Sequence, residues 1–147
     1  MSEKKYKVGY TTGVFDMFHI GHLNILKSAK EMCECLIVGI STDELVMEYK
    51  NKTPIIPYHE RKAIVEAIKY VDEVVPQENR NKIDAFEKYR FDVMFVGDDW
   101  KDSDVFNSVD LYMKSKGAHG VEYIPYTKNV SSTILTDVLN KIYNEGK

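Results

Sequence analysis

The sequence predicts an α/β fold, a Rossmann-like three-layer sandwich with a parallel five-stranded sheet. Three observations point there. Short apolar, β-branched runs recur along the chain, stretches of helical periodicity separate them, and helices rather than tight hairpin turns join one run to the next. Strands that are apolar on both faces and joined by helices pair in parallel through right-handed crossovers, with helices on both sides of the sheet.

The elements follow in order. KVGYTTG at 7–13 reads as the first strand and HLNILKSAKEM at 22–32 as the helix behind it. CLIVGIS at 35–41 is the second strand, and TDELVMEY at 42–49 and YHERKAIVEAIKY at 58–70 are helical. Between those helices, EYKNKTPIIP at 48–57 carries two prolines and two lysines and reads as a loop. DEVVP at 72–76, DVMFVGD at 92–98 and VEYIP at 121–125 complete the strands. They alternate with helical NKIDAFEKYR at 81–90, SVDLYMKSKG at 108–117 and STILTDVLNKIY at 132–143.

No linker, repeat or low-complexity stretch divides the chain, so residues 1–147 are expected to form a single domain, and 44% hydrophobic content suffices to cover both faces of a sheet. The net charge of −3, with lysines alternating with acids, leaves no broad cationic face for a phosphate backbone, which argues against a nucleic-acid partner. No apolar run approaches the roughly 20 residues of a membrane helix, and MSEKKYK has no apolar region behind it, so the expectation is a soluble cytoplasmic protein. The two cysteines, Cys33 and Cys35, stand two apart at the entry to a strand and are expected on one face as core or sub-surface thiols.

In an open parallel sheet, ligands bind beyond the carboxyl ends of the strands, near the place where strand order reverses. GVFDMFHIGH at 13–22 falls there. Gly13 lets the backbone approach a ligand, and Gly21 opens a helix start whose free N–H groups favour phosphate. The dinucleotide fingerprint G-x-G-x-x-G is absent. His19 and His22, three apart around the first helical turn, can face one ligand and donate N–H groups to phosphate oxygens whose charge grows in a transition state. The alternative reading is a polar pair filling a loop. Ser131, Ser132 and Thr133 ahead of the last periodic stretch are N-cap candidates, and such a helix start either caps itself or also holds an anion.

GVFDMFHIGH matches the pattern G-x-F-D-x-x-H-x-G-H, and ISTDE at 40–44, ERK at 60–62, YVDEVVP at 70–76 and GDDW at 97–100 follow in order and spacing. With these motifs the chain resembles the nucleotidyltransferase superfamily, most closely its cytidylyltransferases acting on glycerol 3-phosphate. The resemblance implies transfer of CMP from CTP to a small phosphomonoester, with Mg²⁺ carried mainly by the CTP phosphates. Homodimers are common among similar enzymes. A phosphorylated choline, ethanolamine or sugar alcohol is the alternative acceptor, and a nucleotide sensor without turnover the alternative of another class.

The resemblance places Gly13, Val14, Phe15, Asp16 and Gly21 on the nucleotide, with Asp98 and Trp100 of GDDW beside it. It puts His19 and His22 on the CTP phosphates. Lys50 or Lys52 falls on the α-phosphate or the acceptor phosphate; the match slips by one residue there, so the choice stays open. Asp16 either holds a loop through hydrogen bonds or helps Mg²⁺. Arg61 either reaches a phosphate or pairs with Glu60 or Glu66, and Arg80 and Lys82 lie where acceptor contacts are expected. The family's second phosphate segment, R-T-x-G-I-S-T-T, corresponds to YTKNVSST, where Thr127, Ser131 and Thr133 match. Tyr126 replaces its Arg and Asn129 its Gly, so a guanidinium fork is missing, and Lys128 is the nearby cation able to share its duty.

Overall fold

The computed structural model describes residues 4–125 and 138–142. The apolar runs become β1 (Tyr6–Gly13), β2 (Cys33–Ser41), β3 (Glu73–Gln77), β4 (Val93–Gly97) and β5 (Gly120–Ile124), all parallel in the order β3-β2-β1-β4-β5. Their pleat sends alternate side chains into two separate cores. Leu36, Val38 and Ile40 join Val93 and Phe95 on one face, while Ile37, Met94 and Val96 join Tyr10 on the other.

Four helices cover these faces as the crossovers require. α1 (Ile20–Met32) and α3 (Tyr58–Glu66) put Leu26, Ala29 and Val65 against the first core. α4 (Lys82–Tyr89) and α5 (Asp104–Ser115) put Phe86, Phe106, Val109 and Met113 against the second. α2 (Asp43–Lys50) precedes α3, with Leu45 and Val46 buried. The crossovers therefore change sides between the β1-β2-β3 half and the β4-β5 half, and strand order reverses between β1 and β4. That reversal leaves a crevice at the carboxyl end of β1.

Side chains close the ends of the elements. Thr42 caps α2 by accepting from the Leu45 amide at 3.2 Å, and Asn81 caps α4 through the amides of Ile83 and Asp84. At the strand starts, Asp72 accepts from the Leu36 amide and Asp92 from the Val8 amide, at 2.7 and 2.8 Å.

Two boundaries differ from the sequence expectation. Glu48, Tyr49 and Lys50 belong to the last turn of α2, which ends at a left-handed Asn51 (φ 54°), so the lysine loop is shorter than expected. Cys33 packs in the first core, its thiol donating to the Ala29 carbonyl, whereas Cys35 packs against the second. Cys33 also terminates α1, and regular alternation begins only after it.

Gly39 marks a tight contact that positions the crevice floor. The Tyr10 ring, 1% exposed and stacked on Phe91 at 4.5 Å, lays its phenol over Gly39, and a Cβ there would overlap the hydroxyl. Gly39→Ala is expected to cost about 1–3 kcal/mol, seen as a lower urea midpoint. Adding Tyr10→Phe should recover part of that loss.

Candidate active site

The carboxyl ends of β1, β2 and β4 open onto a cavity of about 730 Å³. That lies within the roughly 300–1,000 Å³ range of small-molecule sites, toward its upper end. Gly13 to Asp16, His19, Gly21 and His22 form one wall, and Lys50, Lys52, Arg80 and Lys82 form another.

The two histidines occupy the first turn of α1 and cap it reciprocally. His19 Nδ1 accepts from the Gly21 amide at 3.0 Å, and His22 Nδ1 accepts from the His19 amide at 3.1 Å. A capping box normally uses a hydroxyl and a carboxyl group for these bonds; here both partners are imidazoles. An Nδ1 that accepts carries no proton, so each neutral ring holds its hydrogen on Nε2. The rings stack with centroids 3.9 Å apart, and His19 Nε2 is buried without a protein partner among the described residues.

The surroundings keep these rings neutral. Burial, then the neighbouring His19, pushes His22 down to about 4, against a smaller opposite pull from Asp16. Burial also lowers His19. Near neutral pH both side chains therefore offer fixed Nε2–H donors with no net charge. Phe15 (φ 55°) and Met17 (φ 47°) hold left-handed backbone in the connection between β1 and α1. Such conformations cost of order 1–3 kcal/mol each and persist where the surroundings impose them.

One source of that imposition is Arg61, whose guanidinium is wholly buried. Its Nε donates to the Ile56 carbonyl at 2.8 Å, Nη1 donates to the carbonyls of Val14 and Ser41 at 2.7 and 2.8 Å, and Nη2 donates to Asp43 at 2.6 Å. The expectation that Arg61 reaches a phosphate or pairs with Glu60 or Glu66 therefore gives way. Its acid is Asp43, and it stands behind the cavity wall as a clamp on three backbone segments. Asp16 works from the other side, accepting from the amides of Ile55 and Ile56 at 2.8 and 2.9 Å. The loop it was expected to hold is the lysine loop.

On the cationic wall, partial desolvation and then the charge of Lys52 lower Lys50. Burial, then the Arg80 charge, pushes Lys82 down to about 8. The structure thus brings together Lys50, Lys52, Arg80 and Lys82 in one cavity with the histidines. Beyond β4 the GDDW segment forms a 3-10 turn over Asp98–Trp100, where Asp99 and Trp100 rather than Asp98 line the cavity. Thr127, Lys128, Ser131, Ser132 and Thr133, with Tyr126 and Asn129, lie outside the described residues. His59 and His119 are exposed, the latter 2.9 Å from the Tyr6 phenol.

The sequence reading passed over Thr12, Tyr49 and Gln77, which also line the cavity. Tyr49 falls three residues after buried Val46, the helical spacing that puts both on one face of α2. Gln77 is the last residue of β3, a position that faces the crevice in any parallel sheet of this order.

Imidazole ¹H–¹⁵N spectra should show both site rings protonated at Nε2 and bare at Nδ1 at neutral pH, with His22 neutral until about pH 4. A proton on either Nδ1 would refute the reciprocal cap. Arg61→Ala should cost about 3–5 kcal/mol of stability in urea titration, because it leaves buried carbonyls unpaired and takes from Asp43 its counter-charge.

Comparison with known proteins agrees with this geometry. The chain is 40% identical over 124 residues to a glycerol-3-phosphate cytidylyltransferase of Bacillus spizizenii, covering 84% of this chain and 89% of that one. It is 35% identical over 131 residues to an ethanolamine-phosphate cytidylyltransferase of Arabidopsis thaliana, covering 84% of this chain and 30% of that one. A lipopolysaccharide core biosynthesis protein from Thermoplasma volcanium shares the fold with a TM-score of 0.68 at 23% identity, covering 85% of this chain and 99% of that one. Residues 10–137 match the family described as cytidylyltransferase-like, and the chain belongs to that family.

Proposed function

We propose that this protein is a cytidylyltransferase that moves CMP from CTP to glycerol 3-phosphate, giving CDP-glycerol and pyrophosphate. The observation that carries the reading is the pair of imidazoles, locked through Nδ1 by reciprocal capping at a helix start and lining a cavity shared with four cationic side chains. The identity to a curated glycerol-3-phosphate enzyme supports the choice of acceptor.

The chemistry asks little of acid or base groups. A phosphomonoester loses its second proton near pH 6, so the acceptor oxygen is already ionised at neutral pH. That oxygen attacks the α-phosphorus of CTP in line, forming one P–O bond. The bond from the α-phosphorus to the bridging oxygen breaks, and pyrophosphate leaves with the electron pair. Negative charge grows on the non-bridging oxygens, where fixed donors stabilise it more than they stabilise the ground state.

Each residue then has a task. His19 and His22 donate Nε2–H to the phosphates, and because both are neutral they act by placement rather than by proton transfer. The exposed N–H groups of the α1 start, opened by Gly21, favour the same anion. Lys50 and Lys52 neutralise the α-phosphate or the incoming phosphate, and Arg80 and Lys82 receive the acceptor. Gly13 through Asp16, with Trp100, border the nucleotide, and the family's second phosphate motif assigns its phosphates to Thr127, Lys128 and the hydroxyls at 131–133. Mg²⁺ would be held mainly by the CTP phosphates, where it would neutralise charge, since magnesium keeps its waters and borrows substrate phosphates. Both oxygens of Asp16 accept backbone amides, which fits a brace better than a metal ligand.

No helix among the described residues is long and apolar enough to cross a membrane, which fits small dissolved substrates. A homodimer in the cytoplasm is the expected setting.

The test is pyrophosphate release with Mg²⁺ across CTP, ATP, UTP and GTP against glycerol 3-phosphate, ethanolamine phosphate, choline phosphate and pentitol phosphates. CTP with glycerol 3-phosphate should give the fastest release. CTP with an amine phosphate alone would change the acceptor, and saturable CTP binding without release on any acceptor would make the protein a nucleotide sensor. His19→Ala and His22→Ala should each lower turnover by about a hundredfold or more while leaving the unfolding midpoint of a folded protein measurable. Unchanged turnover in both would remove the histidines from the mechanism.

A further inference from the structure

The acceptor wall of the cavity contains an aromatic face that is already occupied. Tyr49, at the end of α2, is half-buried and lines the cavity. The Arg80 guanidinium carbon stands 4.8 Å from its ring centroid, and Lys50 Nζ stands 5.7 Å from it. Both distances fall within the roughly 6 Å reach of a cation–π contact. Arg80 comes from the connection between β3 and α4, so the stack joins the two segments that border the acceptor side.

The charges around this stack are mostly positive, with Asp16 the opposing charge that acts on Lys50. Lys50, Lys52, Arg80 and Lys82 line the same wall. The carboxylates lining the cavity among the described residues are Asp16, whose oxygens accept the Ile55 and Ile56 amides, and Asp99, beside Trp100 on the β4 side. The like-charge cost is visible in Lys82, pushed down to about 8 by burial and then by Arg80. An incoming phosphate relieves that repulsion. An incoming ammonium adds to it, and the seat an ammonium would take, the face of Tyr49, is filled.

We propose that Arg80, held over Tyr49, determines acceptor class: it admits phosphomonoesters with an uncharged, hydroxylated tail and excludes those with an ammonium or quaternary ammonium group. This inference rests on the cytidylyltransferase reading, which supplies a phosphorylated acceptor at this wall. Specificity here is negative as well as positive, since the same side chain attracts the phosphate and repels a cationic tail.

The test reads binding separately from turnover. Calorimetric affinities for glycerol 3-phosphate and choline phosphate are measured with CTP present and Mg²⁺ chelated, so that no transfer occurs, on the parent protein and on Arg80→Ala, Arg80→Lys and Arg80→Ala/Tyr49→Ala. The parent should bind glycerol 3-phosphate in preference. Arg80→Ala should weaken glycerol 3-phosphate by about tenfold or more, as for loss of a charged contact, with CTP affinity within about twofold. It should also raise the affinity for choline phosphate relative to glycerol 3-phosphate by opening the ring. Arg80→Lys should keep most of the parent preference, and the double variant should lose the gain in choline phosphate.

An unchanged ratio of the two affinities in Arg80→Ala, or a parent that binds neither acceptor or prefers choline phosphate, would overturn the proposal. So would a loss confined to CTP. Pyrophosphate release is followed in parallel: selective binding with no release on any acceptor would overturn the catalytic reading while leaving the selectivity of Arg80 standing.

Discussion

The buried guanidinium of Arg61 is the constraint on which the site depends. A charge without solvent is costly unless hydrogen bonds and a counter-charge surround it. Here Asp43 supplies the charge, and the carbonyls of Val14, Ser41 and Ile56 supply the remaining acceptors. Those carbonyls belong to the segment after β1, the end of β2 and the lysine loop. Leaving any of them unpaired would be penalised, so the arginine and the segments hold one another in register. The parallel sheet brings the strand ends to one edge, and this network sets how the loops leave that edge.

The histidine pair shows how secondary structure can prepare a reactive group. A helix start needs acceptors for its free amides, and His19 and His22 provide them through Nδ1. The requirement of the helix thereby chooses the tautomer that chemistry needs. Burial keeps the rings neutral, so the site holds donors whose state changes little near neutral pH. Lys50, Lys52 and Arg80 provide charge from longer, more exposed side chains lining the same cavity. Placement and neutralisation are thus divided between a rigid element and adaptable ones.

Much of this was legible in the chain. The β-branched runs and helical periods reproduce five parallel strands and the helices between them, because apolar pattern and crossover geometry leave few other arrangements. The histidines, the lysines and Trp100 were assigned to a site that the structure draws around a single cavity. Arg61 was misread because its partners lie 5 to 47 residues away in sequence, which no local pattern reveals. One clue was present: Arg61 stands four residues before buried Val65, on the inward side of α3. Asp98 was preferred to Asp99 because a turn's direction is not written in its composition. The separation of Cys33 from Cys35 depended on where a helix ends and a pleat begins, a boundary that tertiary packing decides.

The bonds from Asp16 to Ile55 and Ile56 have a consequence for how two substrates share the crevice. They make the strap that carries Lys52 mechanically continuous with the segment between β1 and α1. On the proposed reading, a nucleotide settling against that segment would lower the entropy left to be lost when the acceptor arrives. Two substrates could then feel one another through the backbone, with no separate gate.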